Sequence, residues 1–241
     1  MSEPATVLNS IPPNAEYPLR GQTILLVEDS RFACEAMRLM SQRSGARLRR
    51  ADTLEHARQH LRTYRPGVVI VDLGLPDGCG ETLIADLARA TPRVDVLLGT
   101  SGDPDGDIRA RIAGADGFLP KPVESLGAFQ SMILSHLPAN PAPDHLRHVR
   151  NDVIAPDPLA YRDDLAHAAE VMASDYDRVA IRYLTQFLGG VAHSADDVSL
   201  GEAVDALARS HHAGNDIEAK LADLSGLVKN RLEARDWLRD Q

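Results

Sequence analysis

The chain has 241 residues, 44% hydrophobic and 25% charged, enough apolar material for one large domain or two modest ones. Its 35 acidic residues outweigh 26 basic ones, and the net charge of −9 argues against a nucleic-acid partner, whose phosphates call for basic surface. Two cysteines, Cys34 and Cys79, are too few for a disulfide framework and read as free thiols; no run of roughly 18 apolar residues offers a membrane span, so a soluble, cytoplasmic protein without membrane contact is expected.

Residues 1–20 carry Glu3 and prolines at 4, 12, 13 and 18, which rules out a signal peptide and predicts a flexible tail. From Thr23 onward, short β-branched runs alternate with segments of helical period, the pattern of a parallel sheet wrapped by helices. Ile24 to Val27 is a central strand, apolar on both faces. Ser30 or Asp29 caps a helix with Ala33, Met37 and Met40 on one face, ending near Ser44-Gly45. Arg47 to Ala51 is a weaker strand whose arginines suit a sheet edge, and Thr53 opens a helix carrying Leu54, Ala57 and Leu61. Val68 to Val71 is a buried strand that delivers Asp72. A Pro/Gly loop spans Leu73 to Gly80, a helix Glu81 to Ala90, a strand Val94 to Leu98 and a helix Asp105 to Ala113. Gly117 to Leu119 is a short strand before Pro120-Lys121-Pro122, and Ser125 to Leu137 a last helix. Five strand–helix pairs over residues 21–138 predict a flavodoxin-like, doubly wound, five-stranded parallel sheet.

Residues 139–157 are a proline-rich linker, and 158–241 a smaller all-α bundle. Asp157-Pro158 starts a helix with Tyr161, Leu165, Ala168 and Met172; Ala180, Leu184, Leu188 and Val191 line a second, predicted to break near Gly189-Gly190. Ser199-Leu-Gly-Glu202 reads as a capping box for a third, with Val204, Leu207 and His211, and Ile217 to Val228 mark a fourth that reaches towards Trp237.

The reactive residues collect at the carboxyl ends of the strands, where open α/β sheets place their functional crevice. Glu28-Asp29 ends the first strand, Asp72 the third and Thr100 the fourth, and Lys121 follows the fifth. Converging carboxylates repel one another, which a hard, oxygen-seeking cation such as Mg²⁺ offsets. With Mg²⁺ bound, an aspartate can attack a phosphoryl group whose oxygens meet the cation, a hydroxyl and an ammonium; Thr100 and Lys121 suit the last two roles.

Val27-Glu28-Asp29-Ser30, Val71-Asp72-Leu73-Gly74-Leu75-Pro76-Asp77-Gly78, Gly99-Thr100-Ser101 and Lys121-Pro122 together resemble the receiver domain of bacterial response regulators, over residues 21 to 138. The resemblance implies Asp72 as phosphoacceptor; Glu28, Asp29, Asp72 and the Gly74 carbonyl as Mg²⁺ ligands; Thr100 as switch hydroxyl coupled to a rotating Phe118; Lys121 as the conserved ammonium; and a typically cis proline after it. It implies a two-component phosphorelay protein, phosphorylated by a sensor histidine kinase or a histidine-phosphotransfer protein. Such a protein assists its own aspartyl phosphorylation and dephosphorylation and is not a turnover enzyme. The face of the fourth helix, fifth strand and fifth helix would carry the signal, also as a homodimer contact. Gly99 stands where the family has a bulkier residue and predicts a loosely packed strand end; Gly102-Asp103-Pro104-Asp105-Gly106 is acidic and flexible. Haloacid-dehalogenase-type phosphatases also use a strand-end aspartate but need a second acid two residues on, where this chain has Gly74.

The helical segment from 157 holds 16 acidic and 9 basic residues, ill suited to DNA, and reads as a protein-interaction or dimerisation bundle. The alternative is a degenerate histidine-phosphotransfer bundle with His211 or His212 as relay residue, in Ala208 to Gly214; His167 and His193 have weaker claims.

Overall fold

The computed structural model describes residues 13–123, 125–138, 157–174, 177–213 and 217–234. The stretch 1–12 of the expected tail, the linker 139–156 and Trp237 lie outside the described residues. In chain order the elements are β1 (Thr23–Val27), α1 (Arg31–Arg43), β2 (Arg47–Ala51), α2 (Leu54–Thr63), β3 (Val68–Asp72), β4 (Gly74–Leu75), β5 (Gly78–Cys79), α3 (Gly80–Arg89), β6 (Val96–Ser101), α4 (Gly106–Ala113), β7 (Gly117–Pro120) and α5 (Leu126–His136). A helical unit follows, of α6 (Pro158–Ala173), α7 (Arg178–Ser194), α8 (Val198–His212) and α9 (Glu218–Glu233).

The apolar runs in β1, β3 and β6 are buried on both faces because helices cover both sides of one parallel sheet, ordered β2-β1-β3-β6-β7. Leu25, Val27, Val69, Val71 and Leu97 pack under α2, α3 and α4; Ile24, Leu26, Val68, Ile70 and Leu98 pack under α1 and α5. The arginine-rich β2 takes an edge, as its composition predicts. The strand order reverses between β1 and β3, which opens the crevice where Glu28, Asp29 and Asp72 emerge. Ser30, Thr53 and Asp157 each cap their helix as expected.

Five local expectations are corrected. Residues 13–20 are not a free tail: Pro18 and Leu19 are buried, and the Leu19 amide donates to the Ser44 carbonyl at 2.9 Å. The loop after Asp72 contains the short antiparallel hairpin β4–β5. Gly99 does not loosen its strand; a Cβ there would lie 2.5 Å from the Ala110 Cβ, so the missing side chain lets α4 pack down on β6. Helix α7 runs unbroken through Gly189-Gly190, because the roughly 1 kcal/mol that each glycine costs a helix is outweighed by the buried Phe187, Leu188, Val191 and Ala192 around them. Helix α8 starts two residues earlier than the capping box, with Asp197 accepting from the Leu200 amide at 3.0 Å.

The four last helices close around a core that includes Leu165, Ile181, Leu184, Leu188, Leu200, Leu207, Leu224 and Val228. Asp197 ties three of them together: besides capping α8 it accepts from Tyr161 of α6 at 2.7 Å and from Arg231 of α9 at 2.6 and 2.7 Å. The bundle lies on the sheet domain through α6 and α7, which pack on α1, with α7 also against β4. Among the described residues no helix is long and apolar enough to cross a membrane.

Hydrogen bonds from Arg231, helped by Tyr161 and the Leu200 amide, hold the Asp197 carboxyl down at about 2 from its ordinary 3.8. A carboxyl depressed in the folded state stabilises above its unfolded value, and that share is lost as pH falls from 3.8 to about 2. Asp197→Ala should therefore cost about 2 kcal/mol at neutral pH, read by urea unfolding of the full chain, and flatten the loss of stability over that acid range.

Candidate functional site

Three carboxylates reach one point because β1 and β3 are adjacent and end together. Oxygens of Glu28, Asp29 and Asp72 lie within 4.8 Å of one another. Glu28 is fully buried; its Oε1 accepts the Ser30 amide at 3.2 Å, and its Oε2 lies 2.6 Å from Lys121 Nζ. The same ammonium donates to Asp72 Oδ2 at 2.8 Å, while Asp72 Oδ1 accepts the Gly74 amide at 3.3 Å. The Lys121-Pro122 peptide bond is cis. Gly80 closes the loop behind the acceptor, where any Cβ would sit 1.9 Å from the Asp72 carbonyl oxygen.

One ammonium among three carboxylates leaves the site electron-rich. Burial, and then the Asp72 charge, push the Glu28 carboxyl well above its usual range and the Asp29 carboxyl to about 7. Burial opposes the charged form of Lys121, yet Asp72 and Glu28 together hold its pKa above the ordinary lysine value. Asp29 Oδ1 is buried with no hydrogen-bond partner among the described residues. A hard donor set of this kind, with an unpaired buried oxygen, fits a divalent cation.

Glu28, Asp29, Asp72 and Lys121 are thus brought together as expected, and Gly74 lines the same cavity. Thr100 is not. Its hydroxyl, fully buried, donates to the Leu119 carbonyl at 2.7 Å and does not line the cavity. Nor is it paired with Phe118, which lies opposite Gly99 in the strand register and packs into the layer under α4; Thr100 lies opposite Leu119 on the other face. Two hydroxyl residues line the cavity, Ser30 and, one residue on from Thr100, Ser101. His211 and His212 end α8, and neither lines the cavity. His167 approaches indirectly, its Nε2 3.0 Å from the Tyr183 hydroxyl, and His193 lies near the end of α7.

The remaining wall comes from the helical unit, which sequence reasoning had not linked to the site. Tyr183 donates to Asp29 Oδ2 at 2.6 Å, and Gln186, Phe187, Gly190 and Val191 line the cavity with Asp72 and Lys121. Asp164 of α6 accepts from the Ser30 hydroxyl at 2.7 Å and from the Arg31 and Phe32 amides at 2.7 and 3.1 Å. The spacing of Tyr183, Gln186, Phe187 and Gly190 marks one helix face beside the apolar stripe, the signal that was available in the sequence.

A family model described as the response regulator receiver domain matches residues 24–132. The KDP operon transcriptional regulatory protein KdpE of Escherichia coli K12 is 34% identical over 125 residues, 51% of this chain and 56% of that protein. The virulence transcriptional regulatory protein PhoP of Salmonella typhimurium is 31% identical over 100 residues, 41% of this chain and 45% of that one. The chain thus spans about half the length of these curated relatives. A solved putative response regulator from Chloroflexus aurantiacus is 29% identical with a TM-score of 0.44, covering 47% of this chain and 98% of its own. Residues 24–132, with their acidic crevice, are a response regulator receiver domain of the two-component class, joined here to a helical C-terminal segment.

Proposed function

We propose that this chain is a phosphorylation-controlled switch in which Asp72 accepts a phosphoryl group in the presence of Mg²⁺. The convergence of Glu28, Asp29 and Asp72 beside Lys121 carries the reading. Glu28, Asp29, Asp72 and the Gly74 carbonyl would hold the cation, which when bound neutralises charge on the phosphoryl oxygens. An Asp72 carboxylate oxygen attacks the phosphorus of a phosphohistidine on a sensor histidine kinase or phosphotransfer protein. The P–N bond breaks and the imidazole leaves with a proton. Lys121, already on Asp72, follows the charge onto the phosphoryl oxygens, and Ser101 at the cavity wall supplies the hydroxyl contact. The chain so assists its own phosphorylation and dephosphorylation.

The output is protein contact. The helical segment is acidic, at 16 acidic to 9 basic residues, which favours a protein partner over DNA, although the relatives matched over the receiver are transcriptional regulators by name. Ile108 and Ile112 stand 60% and 82% exposed one turn apart on α4, an apolar step suited to a homodimer or partner contact on the α4–β7–α5 face. The relay alternative is less well supported, since neither His211 nor His212 lines the cavity beside Asp72.

Acetyl phosphate with Mg²⁺ should label the full chain with acid-labile phosphate, and Asp72→Asn should abolish the label; label retained in that variant sinks the assignment. Ser101→Ala should slow labelling about tenfold and Thr100→Ala much less, the reverse of the expectation from the motif alone. Lys121→Met leaves buried carboxylates without their cation and should cost about 3 kcal/mol in urea unfolding without Mg²⁺, with part of the loss recovered on adding Mg²⁺.

A further inference from the structure

The space left beside Asp72 is nearly closed. Between Glu28, Asp72, Lys121 and Ser101 on one side and Gln186, Phe187 and Gly190 on the other there is a cavity of about 10 Å³. A space of that order has room for about one water. An aspartyl phosphate adds a phosphorus and three oxygens, and its Mg²⁺ keeps several waters. That volume is absent while α7 lies where it does, and Asp72 and Lys121 are each only 7% exposed.

The bundle is held there by specific bonds. Asp164, 2% exposed, satisfies the first-turn amides of α1 and the Ser30 hydroxyl, the donors that directly follow the acidic pair. Tyr183 takes up one Asp29 oxygen that a cation would use. Helix α7 is in van der Waals contact range at Gly190: a Cβ on Gly102 would come within 3.5 Å of the Gly190 Cα, and one on Gly190 within 3.8 Å of Lys121 Cδ.

We propose that the helical bundle is a plug in cis: docked through Asp164 and Tyr183 it excludes the phosphoryl group and its donor from Asp72, and phosphorylation and docking are mutually exclusive. The proposal rests on Asp72 being the acceptor. Because the two equilibria share one site, the coupling is reciprocal: docking slows phosphorylation, and phosphorylation frees the α6–α7 face.

Two measurements on the full chain test it. First, Asp164→Ala/Tyr183→Phe should raise the initial rate of labelling by acetyl phosphate and Mg²⁺ by about ten- to a hundredfold over the wild type, within the usual range for coupled equilibria. Second, in the wild type, hydrogen exchange should rise across α6, the first half of α7 and the first turn of α1 when beryllofluoride and Mg²⁺ are added, with Asp72→Asn as the unresponsive control. Equal labelling rates, or exchange unchanged while the mimic is bound, overturn the plug. Label that persists in Asp72→Asn would instead overturn the acceptor assignment, so the two failures are told apart.

Discussion

Three carboxylates share one ammonium at the ends of β1 and β3, and the rest of the molecule answers that crowding. At an effective dielectric near 20, two charges 4 Å apart interact by about 4 kcal/mol, so three like charges with a single counter-charge are an unfavourable group unless something else meets them. Lys121 is committed to Glu28 and Asp72, which leaves Asp29 for the Tyr183 hydroxyl. The site is thus incomplete without either a cation or the bundle. Both address the same surplus of negative charge.

The same economy governs the join between the two units. Helix α1 begins directly after the acidic pair, and its first amides need acceptors; Ser30 serves Ala33 while Asp164, from 133 and 132 residues away, serves Arg31 and Phe32. A carboxylate at a helix N-terminus also meets the positive end of the helix dipole. The contact is buried and shielded from salt, whereas the Arg31–Asp163 pair beside it is exposed on both sides and contributes little. Docking therefore depends on a few buried hydrogen bonds placed next to the reactive centre.

The sheet domain was legible in the sequence because its strands are apolar runs of the right length and its helices carry clean caps. The acidic pair, Asp72 and Lys121 were legible because chain order puts each at a strand end. Thr100 and Ser101 were not, since choosing between adjacent residues needs the strand register, which decides which face each one meets. The role of Asp164, Tyr183 and Gln186 was hidden for another reason: their partners lie more than a hundred residues away, and amphipathic helices with polar positions predict a bundle without saying where it sits. Gly189-Gly190 misled in the opposite direction, because local propensity reads a break where tertiary packing keeps a helix.

A plug of this kind works only if its docking is modest. A bundle docked 99% of the time leaves about 1% of molecules competent, and so slows phosphorylation roughly a hundredfold, while each further 1.4 kcal/mol of docking removes another factor of about ten. The observed latch suits that requirement: net contributions of about 1 kcal/mol per hydrogen bond from Asp164 and Tyr183, set against the cost of burying their polar groups, sum to a few kcal/mol. An aspartyl phosphate with its cation needs to supply no more than that to lift the helices.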